Sequence, residues 1–143
     1  MKITEITRYN IRIYNSVMRL LPQLGKDVKL PTEKHFKRIF KSKNSHFFIA
    51  ELENKEIVGI LTIGTYDIPT GTKFWIEDVV VDETLRGKGI GKELMLFAMN
   101  FAKSSGAETI ELTSKPSRVA ANQLYQKLGF VIRETNLYRY SFK

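Results

Sequence analysis

Between Lys73 and Gly91 the chain reads KFWIEDVVVDETLRGKGIG, and residue types able to do chemistry are concentrated there. Arg86-Gly87-Lys88-Gly89-Ile90-Gly91 packs three glycines and two cations into six residues, directly ahead of a helical run, Lys92–Ser104. Glycine can take φ > 0 and leaves no Cβ over its N–H, so a glycine turn at a helix start offers backbone donors to an anion. The helix start contributes partial positive charge, and Arg86, Lys88 and Lys92 contribute whole charges. The stretch suits a phosphorylated cofactor, although a glycine-rich surface turn would look the same if it stood alone. Just upstream lie two adjacent carboxylates, Glu77 and Asp78, either able to accept a proton. Further along, Tyr125 carries a phenol that could donate one, with Asn122 one helical turn before it.

Spacing narrows the cofactor. The dinucleotide fingerprint G-x-G-x-x-G fails, because counting from Gly87 and Gly89 the third glycine position is Lys92. The Walker A loop fails as well: Arg86 stands where its first glycine should be, and Glu93 follows Gly91-Lys92. What remains is R-x-x-G-x-G (Arg86, Gly89, Gly91) after a strand ending Val79-Val80-Val81-Asp82. Downstream, Ala121-Asn122-Gln123-Leu124-Tyr125-Gln126-Lys127-Leu128-Gly129-Phe130 reads A-x-x-L-Y-x-K-x-G-F. Together, in this order, the two motifs resemble the signatures of the GNAT superfamily of acyl-coenzyme A N-acyltransferases. The resemblance is good over about residues 48–134 and faint over the first forty or so.

The resemblance implies an acetyl group moved from acetyl-coenzyme A to a primary amine by direct attack in a ternary complex. Arg86, Gly87, Lys88, Gly89, Ile90 and Gly91 would hold the pyrophosphate, mostly through backbone N–H. Val79, Val80 and Val81 would pair with the pantetheine arm, although three valines are equally what a core strand needs. Tyr125 matches the family tyrosine expected to protonate the leaving thiolate; apart from the resemblance, a ring packed on the sheet is the plainer reading. Relatives often carry Ser-Asn about seven residues before that tyrosine, where this chain has Ser117-Arg118, so Asn122 or Arg118 would have to take over any contact of that asparagine. The general base is left between Glu77, favoured, Asp78 and water; neighbours on a regular strand point to opposite faces, so at most one carboxylate should face the acceptor. No metal is expected: His35 and His46 are isolated from other ligands in the sequence, and the chain has no cysteine.

The elements that must position these groups follow from periodicity and punctuation. Strands are expected at Met1–Arg8, Ser45–Leu52, Glu56–Tyr66, Lys73–Asp82, Ala107–Thr113, Phe130–Glu134 and Leu137–Phe142. Helices are expected at Asn10–Leu24, Thr32–Lys43, Gly91–Ser104 and Arg118–Leu128, with Pro22 and Gly25 ending the first and Gly106 capping the third. Asp67–Thr72 reads as a turn. Ala107–Thr113 should run parallel to Lys73–Asp82 through a right-handed crossover. The sum is an α/β (α+β) single-domain chain, residues 1–143, with a mixed sheet of about seven strands and about four helices on both faces. The resemblance implies the GNAT fold, whose parallel central strands splay apart.

Composition bounds the rest. A chain of 143 residues, 43% hydrophobic, can build one substantial core. Lacking cysteine, it has neither a disulfide framework nor a thiol nucleophile. No apolar run is long enough for a membrane span or a signal peptide, so a cytoplasmic protein is expected. The net charge of +8 favours anionic partners, coenzyme A among them. Lys34–Lys43 is the densest basic run; a solvated helix face explains it, and so would an acidic surface or the coenzyme's outer phosphate. No basic–aromatic RNA signature is present, which argues against nucleic acid. The acceptor, a small-molecule or protein amine, is not readable, and a homodimer stays open. A reading of another class also stands: a non-catalytic acyl-coenzyme A sensor, or a basic interaction module, on the same fold.

Overall fold

Phe47, Phe48, Ile49 and Ala50 are all buried although neighbours on a strand point to opposite faces, so their sheet must be covered on both sides. The computed structural model describes residues 1–143 and divides into two units, Met1–Thr113 and Ser114–Lys143.

In the first unit, strands β1 (Lys2–Ile6), β2 (Ser45–Glu51), β3 (Ile57–Ile68) and β4 (Gly71–Val81) form an antiparallel meander in the order β1-β2-β3-β4. Helices α1 (Ile11–Leu20) and α2 (Glu33–Lys41) cover one face, where Ile13, Val17, Leu20 and Phe36 pack with Phe47, Ile49, Ile60 and Val80. Helix α3 (Ile90–Ser104) covers the other face, with Phe97 and Phe101 edge-on to Phe48 at 5.6 and 5.1 Å. Side-chain oxygens of Asn10 and Thr32 cap α1 and α2. The first helix stops at Leu20 and tightens into a 3-10 turn, Leu21–Leu24, because Pro22 has no N–H to continue an α-helical ladder. Gly106, at φ 90°, ends α3 as expected: its N–H reaches Lys103 O at 3.1 Å and that of Ala107 reaches Ala102 O at 2.9 Å. The turn expected over Asp67–Thr72 is tighter than that, since Ile68 already pairs with Gly71.

The second unit contains helix α4 (Val119–Lys127), and there the chain departs most from expectation. The expected sheet of about seven strands with parallel members is a four-stranded antiparallel sheet. Ala107–Thr113, the expected parallel neighbour of β4, touches it at one parallel bridge, Trp75 with Glu111. There Glu111 N–H bonds Phe74 O at 3.0 Å and Glu111 O accepts from Ile76 N–H at 2.8 Å. Beyond Ile76 β4 breaks register, with Asp78 at φ 50°, and this bulge denies a parallel ladder the next evenly spaced pair. Phe130–Glu134 and Leu137–Phe142 form no strands: their apolar residues are exposed, and two strands without a covered face are marginal in water.

Candidate active site

The corner from Val79 to Gly91 begins with a hydrogen-bond ladder. Asp82 N–H donates to Val58 O at 2.8 Å, and Val80 lies opposite Ile60. Antiparallel alternation therefore turns the backbone groups of Val80 toward β3 and those of Val81 outward, along the edge of β4. Val80 is buried, whereas Val79 and Val81 are half-buried. Of the three valines, Val81 best offers backbone groups to an extended ligand; Val79 lies in the bulge with Asp78.

Asp82 is the pivot of the corner and is 6% exposed. One carboxylate oxygen accepts from Thr84 N–H at 3.0 Å and from Thr84 Oγ1 at 2.8 Å, which closes the 3-10 turn Glu83–Leu85. The other meets Arg19 Nη1 at 2.6 Å, while Arg19 Nη2 donates to Ile57 O. Gln23 Oε1 accepts from Glu83 N–H at 2.8 Å. The Thr84 hydroxyl and N–H, then Arg19, hold the Asp82 carboxyl below the usual carboxylate range, against the opposing effect of burial. Helix α1 and the turn after it thus tie down the entry to the glycine loop.

The loop itself has the conformation its glycines permit. Gly87 and Gly89 both sit at φ 82°, a region L side chains rarely adopt. Gly89 is the N-cap of α3 in left-handed geometry, and no side chain caps that end. Its carbonyl accepts from Glu93 N–H at 3.0 Å, so the first turn of α3 is formed while the N–H groups before it lack helical acceptors. Arg86, Lys88 and Lys92 are exposed around this bare end. A compact anion is what such a site can bind.

Glu77 and Asp78 lie just before the corner, and the bulge changes their relation. On a regular strand they would face opposite ways; here Glu77 pairs with Thr62, Val80 with Ile60, and Asp78 has positive φ. Both side chains are exposed. Each is nonetheless flanked by enough protein to lose hydration, which raises both carboxyls above their ordinary values, and the Asp78 charge raises Glu77 further. A carboxylate raised in this way is a better proton acceptor near neutrality.

In the second unit Tyr125 is buried, its ring edge-on to Phe130 with centroids 6.1 Å apart. Burial raises its phenol, and the charge and hydrogen bond of Arg118 oppose that rise without cancelling it. The phenol is therefore protonated at neutral pH, as a proton donor must be. Asn122, considered above as a contact for the pantetheine arm, spends its Nδ2 on the carbonyls of Lys115 and Arg118, both at 2.9 Å. That use braces the start of α4.

His46 pairs with Glu5 at 2.9 Å and stacks near Phe101, while His35 lies on α2 with its backbone N–H capped by Thr32. No group of three or more His, Asp or Glu side chains could hold a metal ion. No helix is long and apolar enough to cross a membrane. Sequence reasoning missed Arg19, Gln23 and the Asp78 bulge. The Asp82-x-Thr84 spacing was a legible turn signal, but nothing in a sequence pairs position 19 with position 82.

Residues 11–130 match the family model described as Acetyltransferase (GNAT) family. Among curated proteins, the chain is 33% identical over 99 residues to an uncharacterised N-acetyltransferase of Bacillus subtilis (strain 168), YhdJ, covering 68% of this chain and 69% of that one. It is 45% identical over 58 residues to a second from the same organism, YvbK, covering 41% of this chain and 37% of that one. The chain thus spans well under half of YvbK and about two thirds of YhdJ. Among solved structures, an aminoglycoside acetyltransferase from an uncultured soil metagenomic sample, in complex with sisomicin, superposes with a TM-score of 0.87 at 23% identity, covering 99% of this chain and 96% of that one.

Proposed function

The chain belongs to the acetyltransferase (GNAT) family, and from that premise we propose that it transfers an acetyl group from acetyl-coenzyme A to a primary amine by direct attack in a ternary complex. The observation that carries this reading is the uncapped N-terminus of α3, entered through two glycines at φ 82° and ringed by Arg86, Lys88 and Lys92.

In this reading the N–H groups from Gly87 to Gly91 bind the coenzyme's diphosphate, and the outward edge of β4 at Val81 receives the pantetheine arm as an added strand would be received. The amine nitrogen attacks the thioester carbonyl, the C–N bond forms, and the C–S bond breaks with its electron pair on sulfur. Tyr125 gives its proton to that sulfur. The proton lost by the amine goes to Glu77, directly or through water, with Asp78 as the other carboxylate in reach of that role. The thioester is already activated, so orientation supplies much of the rate.

The acceptor we favour is a small cationic amine. Two adjacent exposed carboxylates would attract one, and the fold neighbour bound to sisomicin holds a ligand of that chemistry. The test is free-thiol release from acetyl-coenzyme A across a panel of aminoglycosides, polyamines, amino acids and peptide amines. Saturable release with an amine supports the enzyme. Tight coenzyme binding with no release on any acceptor would replace it by an acyl-coenzyme A sensor.

A further inference from the structure

The segment after α4 shows an apolar surface that its own chain leaves uncovered. Val131, Ile132, Leu137, Tyr138, Tyr140 and Phe142 are between 76% and 90% exposed. Isolated exposed apolar residues need no explanation, but six in one short segment do. They are also ordered as a strand would be: Tyr138, Tyr140 and Phe142 alternate with Arg139, Ser141 and Lys143, giving one aromatic and one polar face. The segment does not leave α4 by fraying. Gly129 at φ 98°, with Gly129 N–H on Gln126 O at 3.0 Å and Phe130 N–H on Tyr125 O at 3.0 Å, closes the helix in a Schellman cap and fixes the exit direction.

The chain also carries the complement of such a strand. Ala107–Thr113 meets β4 through Glu111, whose N–H and C=O both point to β4. Strand alternation turns the backbone groups of Ile110 and Leu112 the other way, toward an edge that no strand of the four-stranded sheet occupies. An open edge of this kind is a template for pairing.

We propose that Leu137–Phe142 of one copy pairs along the Ile110–Leu112 edge of a second copy, and reciprocally, so that the protein is a strand-exchanged homodimer. Reciprocal exchange closes as a two-fold dimer and leaves neither tail exposed, whereas one-way addition would propagate. The area suffices. Three aromatic side chains alone can bury roughly 450–750 Å² per tail, and two such tails with the surfaces they cover exceed the ~1,200 Å² at which stable interfaces begin.

The first measurement is sedimentation equilibrium on the full chain, whose monomer mass is 16.5 kDa. Twice that mass is expected, and a monomer persisting at high micromolar concentration would overturn the proposal. Replacing Tyr138 and Tyr140 together by Asp should raise the dimer dissociation constant about thirtyfold or more, with an unchanged circular dichroism spectrum, if the rings are interface anchors. Pairing is then read directly, because the chain has no cysteine of its own. Leu112→Cys in one population and a cysteine at each of positions 138–142 in another, co-refolded and oxidised, should give a disulfide between chains. A bond formed only within one chain carrying both cysteines would show that the tail folds back on itself. Bonds formed only between two tails would move the interface away from Leu112. Either result overturns the proposal, and both are independent of acetyl transfer.

Discussion

The corner Val79–Gly91 and the helix Val119–Lys127 would serve one reaction by opposite means. The corner offers backbone: an outward strand edge at Val81, and N–H groups made accessible by Gly87 and Gly89 at φ 82°. The helix offers one side chain, Tyr125, whose acidity is set by burial and by Arg118. A backbone site resists side-chain replacement except where the backbone conformation itself depends on the residue. A side-chain site resists nothing at the residue concerned. Mutations should therefore sort by region, with affinity affected at the corner and turnover at the helix.

The largest effect is expected from Gly89→Val. A Cβ there meets nothing within 4 Å, so the damage comes from forcing a β-branched residue to φ 82° at the helix start. Coenzyme affinity should fall about 10- to 100-fold by calorimetry, reflecting a strain of roughly 1–3 kcal/mol. Retained affinity would break the contrast at its stronger end. Tyr125→Phe should lower kcat about tenfold or more while leaving coenzyme affinity unchanged, and unaltered turnover would remove the phenol from the mechanism.

Next comes Glu77→Gln, read through the pH profile. A base must be deprotonated, so kcat/KM should rise with pH through the Glu77 ionisation, which burial and the Asp78 charge place above the ordinary glutamate value. The variant should lose that acidic limb and about tenfold or less in rate if water or Asp78 substitutes. An unchanged limb would assign it elsewhere.

Asp82→Asn tests whether the corner depends on its anchor. With a folded-state ionisation below the unfolded one, Asp82 adds stability that is present above the unfolded value, near 3.9, and is lost as pH falls through the folded value. The substitution should cost about 1–3 kcal/mol at neutral pH, limited because Arg19 is partly exposed, with a smaller cost in acid. Thermal melts across that range check both the size and the sign. The smallest effect should be that of Arg86→Ala, whose exposed charge is replaceable while its N–H remains. A loss of coenzyme affinity below about fivefold is expected, and a larger loss would mean that the corner binds with side chains after all.

The same division explains what could be read before the fold was seen. Glycine loops, N-caps and C-caps are local devices, so Gly89, Thr32 and Gly106 announced their roles. The three later strands were misread because alternation states only that a segment could pair, and pairing needs a partner surface. Ala107–Thr113 found a single bridge, cut short by a bulge at Asp78 that no residue in the sequence marks. Tyr138, Tyr140 and Phe142 have strand periodicity and no partner within the sheet. At the site, the glycine loop was legible, whereas the Arg19–Asp82 pair was not, since its members lie 63 positions apart. The bulge also undid the inference that Glu77 and Asp78 must face opposite ways, because that inference assumed a regular strand.

The most direct measurement is a titration of isotopically labelled protein with coenzyme A, following the backbone amide resonances of Gly87 to Lys92. Saturable shifts in these amides, retained in the Arg86→Ala variant, are the expected result. Coenzyme binding that leaves the same amides unmoved and shifts others would contradict a diphosphate held by the corner's backbone.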